Sequence, residues 1–120
     1  MENQTKETIT LYHGTEPVNV FRIMKEGIKA GEDGYIYFCK TMNDCCQYSL
    51  LYNHGRKHEV AIIPVEFSMQ EFKEMGVNID NAQGITPDAY AYNGDIPASR
   101  VPHSLNEIPK KVVFYEDNEN

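Results

Sequence analysis

Residues 8–12, TITLY, alternate between polar and apolar side chains and are rich in β-branched and aromatic types. This alternation predicts a half-buried strand that ends at His13 and Gly14. A helical period follows, with Thr15 as the capping residue, Pro17 in the first turn and a glycine at the end. The apolar positions of this helix, which we expect to face the core, are Val18, Phe21, Met24 and Ile28.

The middle of the chain predicts two further strands with a helix between them. Residues 35–39, YIYFC, form an uninterrupted aromatic and apolar run, typical of a strand buried on both faces. Thr41 and Asp44 resemble a capping box at the start of a helix, which an Asn-His-Gly turn closes. Residues 60–67 predict a third strand, in which Pro64 removes one ladder donor and so indicates an edge strand or a bulge.

The last part of the chain predicts one short helix and two strands. Ser68 and Glu71 form a second capping-box pattern, and Gly76 ends the helix that it opens. Residues 88–92 alternate weakly as a strand before an Asn-Gly turn, and residues 111–115 form a final apolar strand. The predicted order is β-α-β-α-β-α-β-β, which is typical of a mixed α/β or an α+β domain.

The bulk composition limits the classes of protein that remain. The chain has 120 residues, 41% apolar and 24% charged, which fits a single globular domain over residues 1–120. Its polar ends, residues 1–7 and 116–120, are expected to be frayed. Asp and Glu outnumber Lys and Arg, 18 to 11, so a nucleic-acid backbone is repelled on average. The sequence has no apolar run for a membrane span or a signal peptide, and we expect a cytoplasmic monomer.

The cysteines are expected to be free thiols. Cys39, Cys45 and Cys46 are odd in number and two are adjacent, which argues against a disulfide framework. With His54 and His58 they offer the ligand types that zinc prefers, but no Cys-x-x-Cys pair is present and we expect no metal. A nucleophilic pair of Cys46 and His54 is equally unexpected, because these residues lie two turns apart on a helix.

The segment Tyr12-His13-Gly14-Thr15 places an imidazole, a bare backbone and a hydroxyl at one strand end. A simpler interpretation is a core histidine beside a glycine that turns the chain. A second observation favours a binding site, because Tyr37 lies in a predicted strand and Tyr48 follows eleven positions later on a predicted helix. Two such phenol rings can flank a flat heteroaromatic ligand.

These motifs resemble those of the diphtheria-toxin-like ADP-ribosyltransferase superfamily, especially its poly(ADP-ribose) polymerase branch. That branch has His-Gly-Thr or His-Gly-Ser on its first strand, Gly-Ile-Tyr-Phe on its second and a tyrosine eleven residues later. The rifampin ADP-ribosyltransferases are similar as well, with a His-Gly-Thr and a Tyr-Val-Tyr strand. The resemblance spans roughly residues 8 to 67. It implies an ADP-ribosyltransferase-like fold, with two small mixed β-sheets and flanking helices around an NAD cleft.

The resemblance also implies roles for individual residues. His13 would hydrogen-bond a ribose hydroxyl of NAD, and the Gly14 backbone would bind the nicotinamide carboxamide, with Thr15 beside it. Tyr37 and Tyr48 would flank the nicotinamide ring. Cys45 stands where the family often has a serine that bonds the carboxamide, and a thiol is the poorer donor.

A carboxylate completes the site in the family enzymes, where it stabilises the oxocarbenium-like transition state as nicotinamide leaves. Residues 86–92 followed by Asn-Gly-Asp-Ile-Pro resemble the family's acid-bearing strand and the stretch after it. Asp88 is the expected catalytic acid, with Asp95 and Asp80 as the next candidates. An aspartate has one methylene fewer than the usual glutamate, so it has to lie closer to the ribose.

The expected activity is NAD-dependent mono-ADP-ribosylation, a pentosyl transfer that releases nicotinamide, with an unidentified protein, nucleic acid or small molecule as acceptor. Two alternatives remain open. The same pocket without a catalytic acid is a non-catalytic binder of NAD, ADP-ribose or a related nucleotide. An RNA 2'-phosphotransferase shares the fold and a His-Gly-Thr segment, but those enzymes rely on several arginines, and this acidic chain has only Arg22, Arg56 and Arg100.

Overall fold

The structure, a computed structural model, describes residues 7–78 and 88–114. Within these ranges the chain forms six strands, three α-helices and three 3-10 turns. The strands are β1 (Thr8–Thr15), β2 (Tyr35–Phe38), β3 (His58–Ser68), β4 (Gly76–Asn78), β5 (Ala89–Asn93) and β6 (Lys110–Val113). The helices are α1 (Val20–Glu26), α2 (Met42–Tyr52) and α3 (Met69–Glu74), and the 3-10 turns are Pro17–Asn19, Ala98–Arg100 and Leu105–Glu107.

The strands form two small sheets, with the orders β1-β3-β6 and β2-β5-β4. Every strand pair is antiparallel, so the α+β class is confirmed and the expectation of mixed sheets is wrong. The short strand β4 was not predicted, because its three residues Gly-Val-Asn are too few to show an alternating pattern. It pairs with β5 and extends the second sheet on the side away from β2.

Strand β3 is the central strand of its sheet, so the prediction that Pro64 marks an edge strand or a bulge is wrong. Pro64 lies opposite Tyr12, whose backbone N–H and C=O bond to Cys39 and therefore point away from β3. The Pro64 nitrogen then points to the other side of β3, where β6 ends its pairing at Ala61. Proline therefore occupies a position at which no ladder donor is needed.

The buried face around α1 agrees with the predicted one only in part. Ile28 is buried and Met24 packs against the core, as predicted. Val18 and Phe21, however, are 79% and 69% exposed, whereas Val20 and Ile23 are buried. The chain enters α1 through the 3-10 turn Pro17–Asn19, whose tighter winding rotates the following residues out of the register of a continuous α-helix. Thr15 is not a helix cap either, because it is the last residue of β1.

Gly27 ends α1 as predicted, and its position is fixed by a close contact. Its φ of 86° is in the region that favours glycine, and a Cβ at this position would lie 2.1 Å from the carbonyl oxygen of Ile96. The adjacent Ile28 exchanges two backbone hydrogen bonds with Ile96, at 2.8 and 2.9 Å. This bridge ties the end of α1 to the segment after β5.

Strand β2 is buried on one face only, so the expectation of a strand buried on both faces is wrong. Ile36 and Phe38 are buried in the core, while Tyr35 and Tyr37 are each 39% exposed. The Phe38 ring packs edge-on against Phe67 of β3 at 5.0 Å between ring centroids. The two sheets therefore meet through these buried aromatic rings, and the tyrosine face of β2 is left open.

The helix starts predicted at Thr41 and Ser68 are confirmed. Thr41 accepts a 3.0 Å hydrogen bond from the Asp44 backbone, and Ser68 with Glu71 forms a complete capping box. The Glu71 carboxylate also receives two 3.0 Å hydrogen bonds from the Arg100 guanidinium, which lies over the Phe67 ring. This ion pair lowers the pKa of Glu71 against the opposing effect of its partial burial. The ion pair between Glu71 and Arg100 therefore holds α3 against the rest of the core.

The chain ends are described only in part. Glu7 was expected to be frayed, but its carbonyl accepts a 3.3 Å hydrogen bond from the Met69 backbone and continues the β1–β3 ladder. The other residues expected to be frayed, and the end of the predicted last strand, lie outside the described residues. No helix in the described part of the chain is long and apolar enough to cross a membrane.

Candidate functional site

A cavity of about 910 Å³ lies between β1, β2, α2 and the start of β3. It brings together six of the seven residues predicted from the sequence to form the site. These six lining residues are His13, Gly14, Thr15, Tyr37, Cys45 and Tyr48. The seventh, Asp88, is exposed and does not line the cavity, although its neighbour Ala89 does.

The cavity begins where β1 and β2 separate. Tyr12 and Cys39 exchange backbone hydrogen bonds of 2.9 and 2.8 Å, which join the two strands at a single bridge. Beyond Tyr12, β1 continues along β3 for three residues, while the chain after Cys39 turns into α2. The edge of β1 that follows the bridge is therefore open to the cavity.

Gly14 presents its backbone polar groups at this open edge. In an antiparallel strand the N–H and C=O groups of alternate residues point to the same side, so those of Gly14 point away from β3, like those of Tyr12. The partner Ile62 agrees with this, since its N–H bonds to the Pro109 carbonyl at 2.9 Å on the far side of β3. Gly14 thus offers one donor and one acceptor toward the cavity side of β1.

The imidazole of His13 is held in a defined tautomer. Its Nδ1 lies 3.0 Å from the Tyr37 carbonyl oxygen, and because a carbonyl only accepts, Nδ1 carries the hydrogen. Burial lowers the pKa of His13 from 6.5, and the hydrogen bond to the Tyr37 carbonyl opposes this effect. At neutral pH the ring is therefore neutral, with Nε2 as a hydrogen-bond acceptor.

Tyr37 is held by a carboxylate that sequence analysis missed. Its hydroxyl donates a 2.5 Å hydrogen bond to Asp33, whose other oxygen accepts from the Tyr35 backbone at 3.0 Å. The bond with Tyr37 lowers the pKa of Asp33 and raises the pKa of Tyr37. The Asp-Gly turn that precedes the aromatic strand is the sequence signal for this carboxylate.

Helix α2 supplies the opposite wall of the cavity. Tyr48 packs beside the buried cluster of Cys39, Cys45 and Ile62. The Cys45 thiol donates a 3.2 Å hydrogen bond to the Tyr12 carbonyl, so its hydrogen is engaged within the protein. Contact with Cys39 and burial both raise the pKa of Cys45, which keeps it a neutral thiol. All three cysteines are free, as expected.

Several acidic residues lie near the cavity. Glu16 and Glu59, which sequence analysis missed, line the cavity directly. Glu16 follows the predicted first strand, and Glu59 precedes the predicted third strand. Asp95 has a structural contact instead, because its Oδ1 accepts a 2.7 Å hydrogen bond from the Ala30 backbone. Asp80 lies outside the described residues. The cavity therefore has carboxylates at its wall, but not the one that the sequence favoured.

A further polar group lines the cavity where α2 ends and β3 begins. Ser49 Oγ lies 2.6 Å from His58 Nε2, and Asn53 Nδ2 lies 3.3 Å from the same nitrogen. His54 and Gly55 take positive φ angles of 58° and 76° and turn the chain between the helix and the strand. Sequence analysis had considered His58 as a candidate metal ligand but had not paired it with Ser49.

Among the residues that the structure describes, no group of three or more His, Cys, Asp or Glu side chains is arranged to hold a metal ion. Arg22, Arg56 and Arg100 do not line the cavity. Arg100 is engaged with Glu71, and Arg22 donates to the Asn19 side chain at 3.0 Å.

No protein-family model matches the chain, and no curated protein matches it either. What the cavity binds is therefore inferred from its geometry and from the resemblance of its motifs.

Proposed function

We propose that the chain is an NAD-dependent mono-ADP-ribosyltransferase with an ADP-ribosyltransferase-like fold. The observation that carries this proposal is the open edge of β1 at Gly14, which lies in one cavity with Tyr37 and Tyr48. A primary carboxamide has one acceptor oxygen and a donor NH₂ group, so it complements the N–H and C=O of a single strand residue. Few ligands combine this group with a flat cationic ring, and the nicotinamide of NAD does.

The aromatic residues of the cavity suit the ring of nicotinamide. Tyr37 and Tyr48 come from β2 and α2, on different walls, so a planar ligand held at Gly14 contacts phenol rings from two directions. A cationic pyridinium ring gains additional attraction from electron-rich aromatic faces. The hydrogen bond from Tyr37 to Asp33 fixes one of these rings before the ligand arrives.

His13 is suited to a ribose hydroxyl. Its Nδ1 hydrogen is used by the Tyr37 carbonyl, which leaves Nε2 as an acceptor on a residue that lines the cavity. A ribose hydroxyl donates to such a nitrogen, and the low pKa of His13 keeps this acceptor available at neutral pH. Thr15, two residues on, adds a hydroxyl that already accepts from Asn19 at 3.1 Å.

Catalysis requires a carboxylate near the ribose to stabilise the positive charge that develops as nicotinamide leaves. We retain Asp88 as the first candidate, because it directly precedes Ala89 in the cavity wall. Its side chain is exposed, so the role requires it to turn toward bound NAD. Glu16 and Glu59 are the competing candidates, since both already line the cavity.

The test is incubation of the purified chain with NAD labelled in its adenylate portion, alone and with cell lysate, with nicotinamide release and the position of the label as readouts. Asp88→Asn, Glu59→Gln and Glu16→Gln identify the acid, and the exposed Glu26 on α1 provides the control Glu26→Gln. Loss of nicotinamide release by about 100-fold or more with retained NAD binding assigns the role to the residue changed. A wild-type chain that does not bind NAD overturns the proposal.

A second function, non-catalytic binding of NAD or ADP-ribose, is favoured by one observation. Asp88, the first candidate for the catalytic acid, does not line the cavity, so the cavity residues described above can bind a ligand without it. Under this alternative the chain binds NAD with the contacts described above but releases no nicotinamide. The same incubation distinguishes the two functions.

The RNA 2'-phosphotransferase alternative is not supported, because Arg22, Arg56 and Arg100 all lie outside the cavity lining.

A further inference from the structure

Ser49 and His58 form a hydrogen-bonded pair in the cavity wall with no part in the function proposed above. His58 Nδ1 lies 2.7 Å from the Arg56 carbonyl oxygen, and since that oxygen only accepts, Nδ1 carries the ring hydrogen. In the neutral ring Nε2 is then unprotonated and accepts a 2.6 Å hydrogen bond from the Ser49 hydroxyl. An activated nucleophile consists of a hydroxyl, a basic nitrogen that accepts its proton and a group that orients this base.

The surroundings hold this pair in place. Asn53 Nδ2 donates to the Ser49 carbonyl at 2.8 Å and lies 3.3 Å from His58 Nε2, which links the end of α2 to the first residue of β3. Both Ser49 and His58 line the cavity that contains Gly14. Ser49 directly follows Tyr48 on α2, and both residues line the same cavity as the other residues proposed to hold nicotinamide.

We propose that Ser49 is an acceptor of ADP-ribose on this chain itself, with His58 as its general base. This inference rests on the proposed function, because NAD bound in the cavity supplies the electrophile. Among the residues that the structure describes, no other serine or threonine shares the two features that single out Ser49, a base within hydrogen-bond distance and a place in the cavity lining.

The reaction balances without any additional reactant. The Ser49 oxygen forms a bond to the anomeric carbon of the nicotinamide ribose, and the bond from that carbon to the ring nitrogen breaks. The bonding electron pair goes to the pyridinium ring, which leaves as neutral nicotinamide. The hydroxyl proton passes to His58 Nε2 and then to water. The products are ADP-ribosylated Ser49, nicotinamide and one proton.

The experiment uses the purified chain of residues 1–120 and NAD labelled in its adenylate portion, followed by mass-spectrometric mapping of the modified residue. We expect one ADP-ribose on Ser49, formed at a first-order rate that does not depend on protein concentration, since nucleophile and electrophile share one cavity. Ser49→Ala is expected to abolish this modification, whereas Ser49→Thr, which retains a hydroxyl, preserves it. Ser99→Ala, at an exposed serine outside the cavity, is the matched control and leaves the modification unchanged.

His58→Ala tests the base separately from the fold. We expect the rate of self-modification to fall by about 100-fold or more, since general-base catalysis contributes about that much, and added imidazole to restore part of it. A structural role alone predicts no rescue by imidazole. If the wild-type chain releases nicotinamide but carries no ADP-ribose on Ser49, the acceptor proposal is overturned while the proposed function stands. If it neither binds NAD nor releases nicotinamide, both are overturned.

Discussion

The hydroxyl of Tyr37 donates a 2.5 Å hydrogen bond to the carboxylate of Asp33, across the turn that leads into β2. Asp33 is fixed in turn by the Tyr35 backbone, whose N–H donates to its other oxygen at 3.0 Å. The orientation of the Tyr37 ring at the cavity wall therefore depends on a carboxylate that does not itself line the cavity. Under the proposed function this contact preorganises one of the two rings that hold nicotinamide.

Removing either partner of this bond is expected to weaken nicotinamide binding to the same extent. Asp33→Ala removes the acceptor oxygens, and Tyr37→Phe removes the hydroxyl but retains the aromatic face. Because the bond is exposed to solvent, each change should reduce the affinity only a few-fold. Isothermal titration calorimetry with nicotinamide measures this directly.

The double variant shows whether the two residues act together. If Asp33 acts through Tyr37, the combined loss equals that of either single change rather than their product. Equal and independent losses that multiply would contradict a positioning role for Asp33. Asp95→Ala is a suitable comparison, because its carboxylate bonds to the Ala30 backbone and not to a cavity residue.

A methyl group at Gly14 is expected to narrow the cavity where the carboxamide is proposed to bind. A Cβ on Gly14 would lie 3.2 Å from Cγ2 of Val60 and 3.9 Å from Cβ of Cys45, both of which line the cavity. Overpacking of this kind costs about 1–3 kcal/mol of folding stability, and the new Cβ also reduces the space for the carboxamide, so Gly14→Ala should lower both stability and nicotinamide affinity. Calorimetry again provides the measurement.

Val60→Ala tests the cause of that loss. Removing the two methyl groups of Val60 creates room for the new Cβ, so the pair Gly14→Ala with Val60→Ala should bind nicotinamide better than Gly14→Ala alone. Val60 is buried, so its truncation lowers stability, and binding is compared at a temperature at which both proteins are folded. A double variant that binds no better would show that the Gly14 backbone, rather than steric crowding, determines the loss.

The extent to which the site was predictable depends on how local each contact is. Gly14, Tyr37 and Tyr48 were predicted because each is part of a short motif with a regular spacing. Ser49 and His58 were not paired in advance, because only the turn through His54 and Gly55 brings the helix end to the strand. Contacts of that kind depend on tertiary geometry and leave no periodic signal.

The fold shows the same division between local and tertiary features. Both helix caps were predicted from four-residue patterns, since the capping bonds are made within one turn. The face of α1 was mispredicted because a 3-10 turn of three residues shifts the helical register. Pro64 was misjudged for a similar reason, because the length of the neighbouring strand β6 decides whether its missing N–H matters.

Cys45 offers a test of the carboxamide contact. The thiol hydrogen bonds to the Tyr12 carbonyl at 3.2 Å, and thiol sulfur is a weak acceptor. Cys45→Ser introduces a hydroxyl whose hydrogen can keep the bond to Tyr12 while its oxygen accepts from the carboxamide NH₂, at the position where the resembling enzymes use serine. One added hydrogen bond contributes about 0.5–1.5 kcal/mol net, so nicotinamide affinity should rise by roughly two- to tenfold.

The neighbouring cysteine provides the control for this substitution. Cys46 follows Cys45 on α2 but does not line the cavity, so Cys46→Ser should leave nicotinamide affinity unchanged. If Cys45→Ser folds normally and binds nicotinamide no better than the wild-type chain, residue 45 does not contact the carboxamide. Circular dichroism establishes that both variants are folded.

The low pKa of His13 makes stability depend on pH in a specific window. Burial shifts the pKa of His13 below its ordinary value of 6.5, so between the two values the unfolded chain binds more protons than the folded chain. Stability must then increase with pH in this range and decrease as the pH is lowered through and below 6.5. The depressed pKa values of Asp33 and Glu71 act in a lower window, below their ordinary values of 3.8 and 4.5.

Urea denaturation at several pH values between about 8 and 5 isolates the contribution of His13. His13→Gln removes the titrating group, so its stability should fall less than that of the wild-type chain as the pH is lowered. His103→Gln, at an exposed histidine outside the cavity, should retain the wild-type slope. A His13→Gln protein with the full wild-type pH dependence would mean that burial of the imidazole does not oppose its protonation. Burial would then not be what keeps the His13 acceptor neutral for the proposed ribose contact.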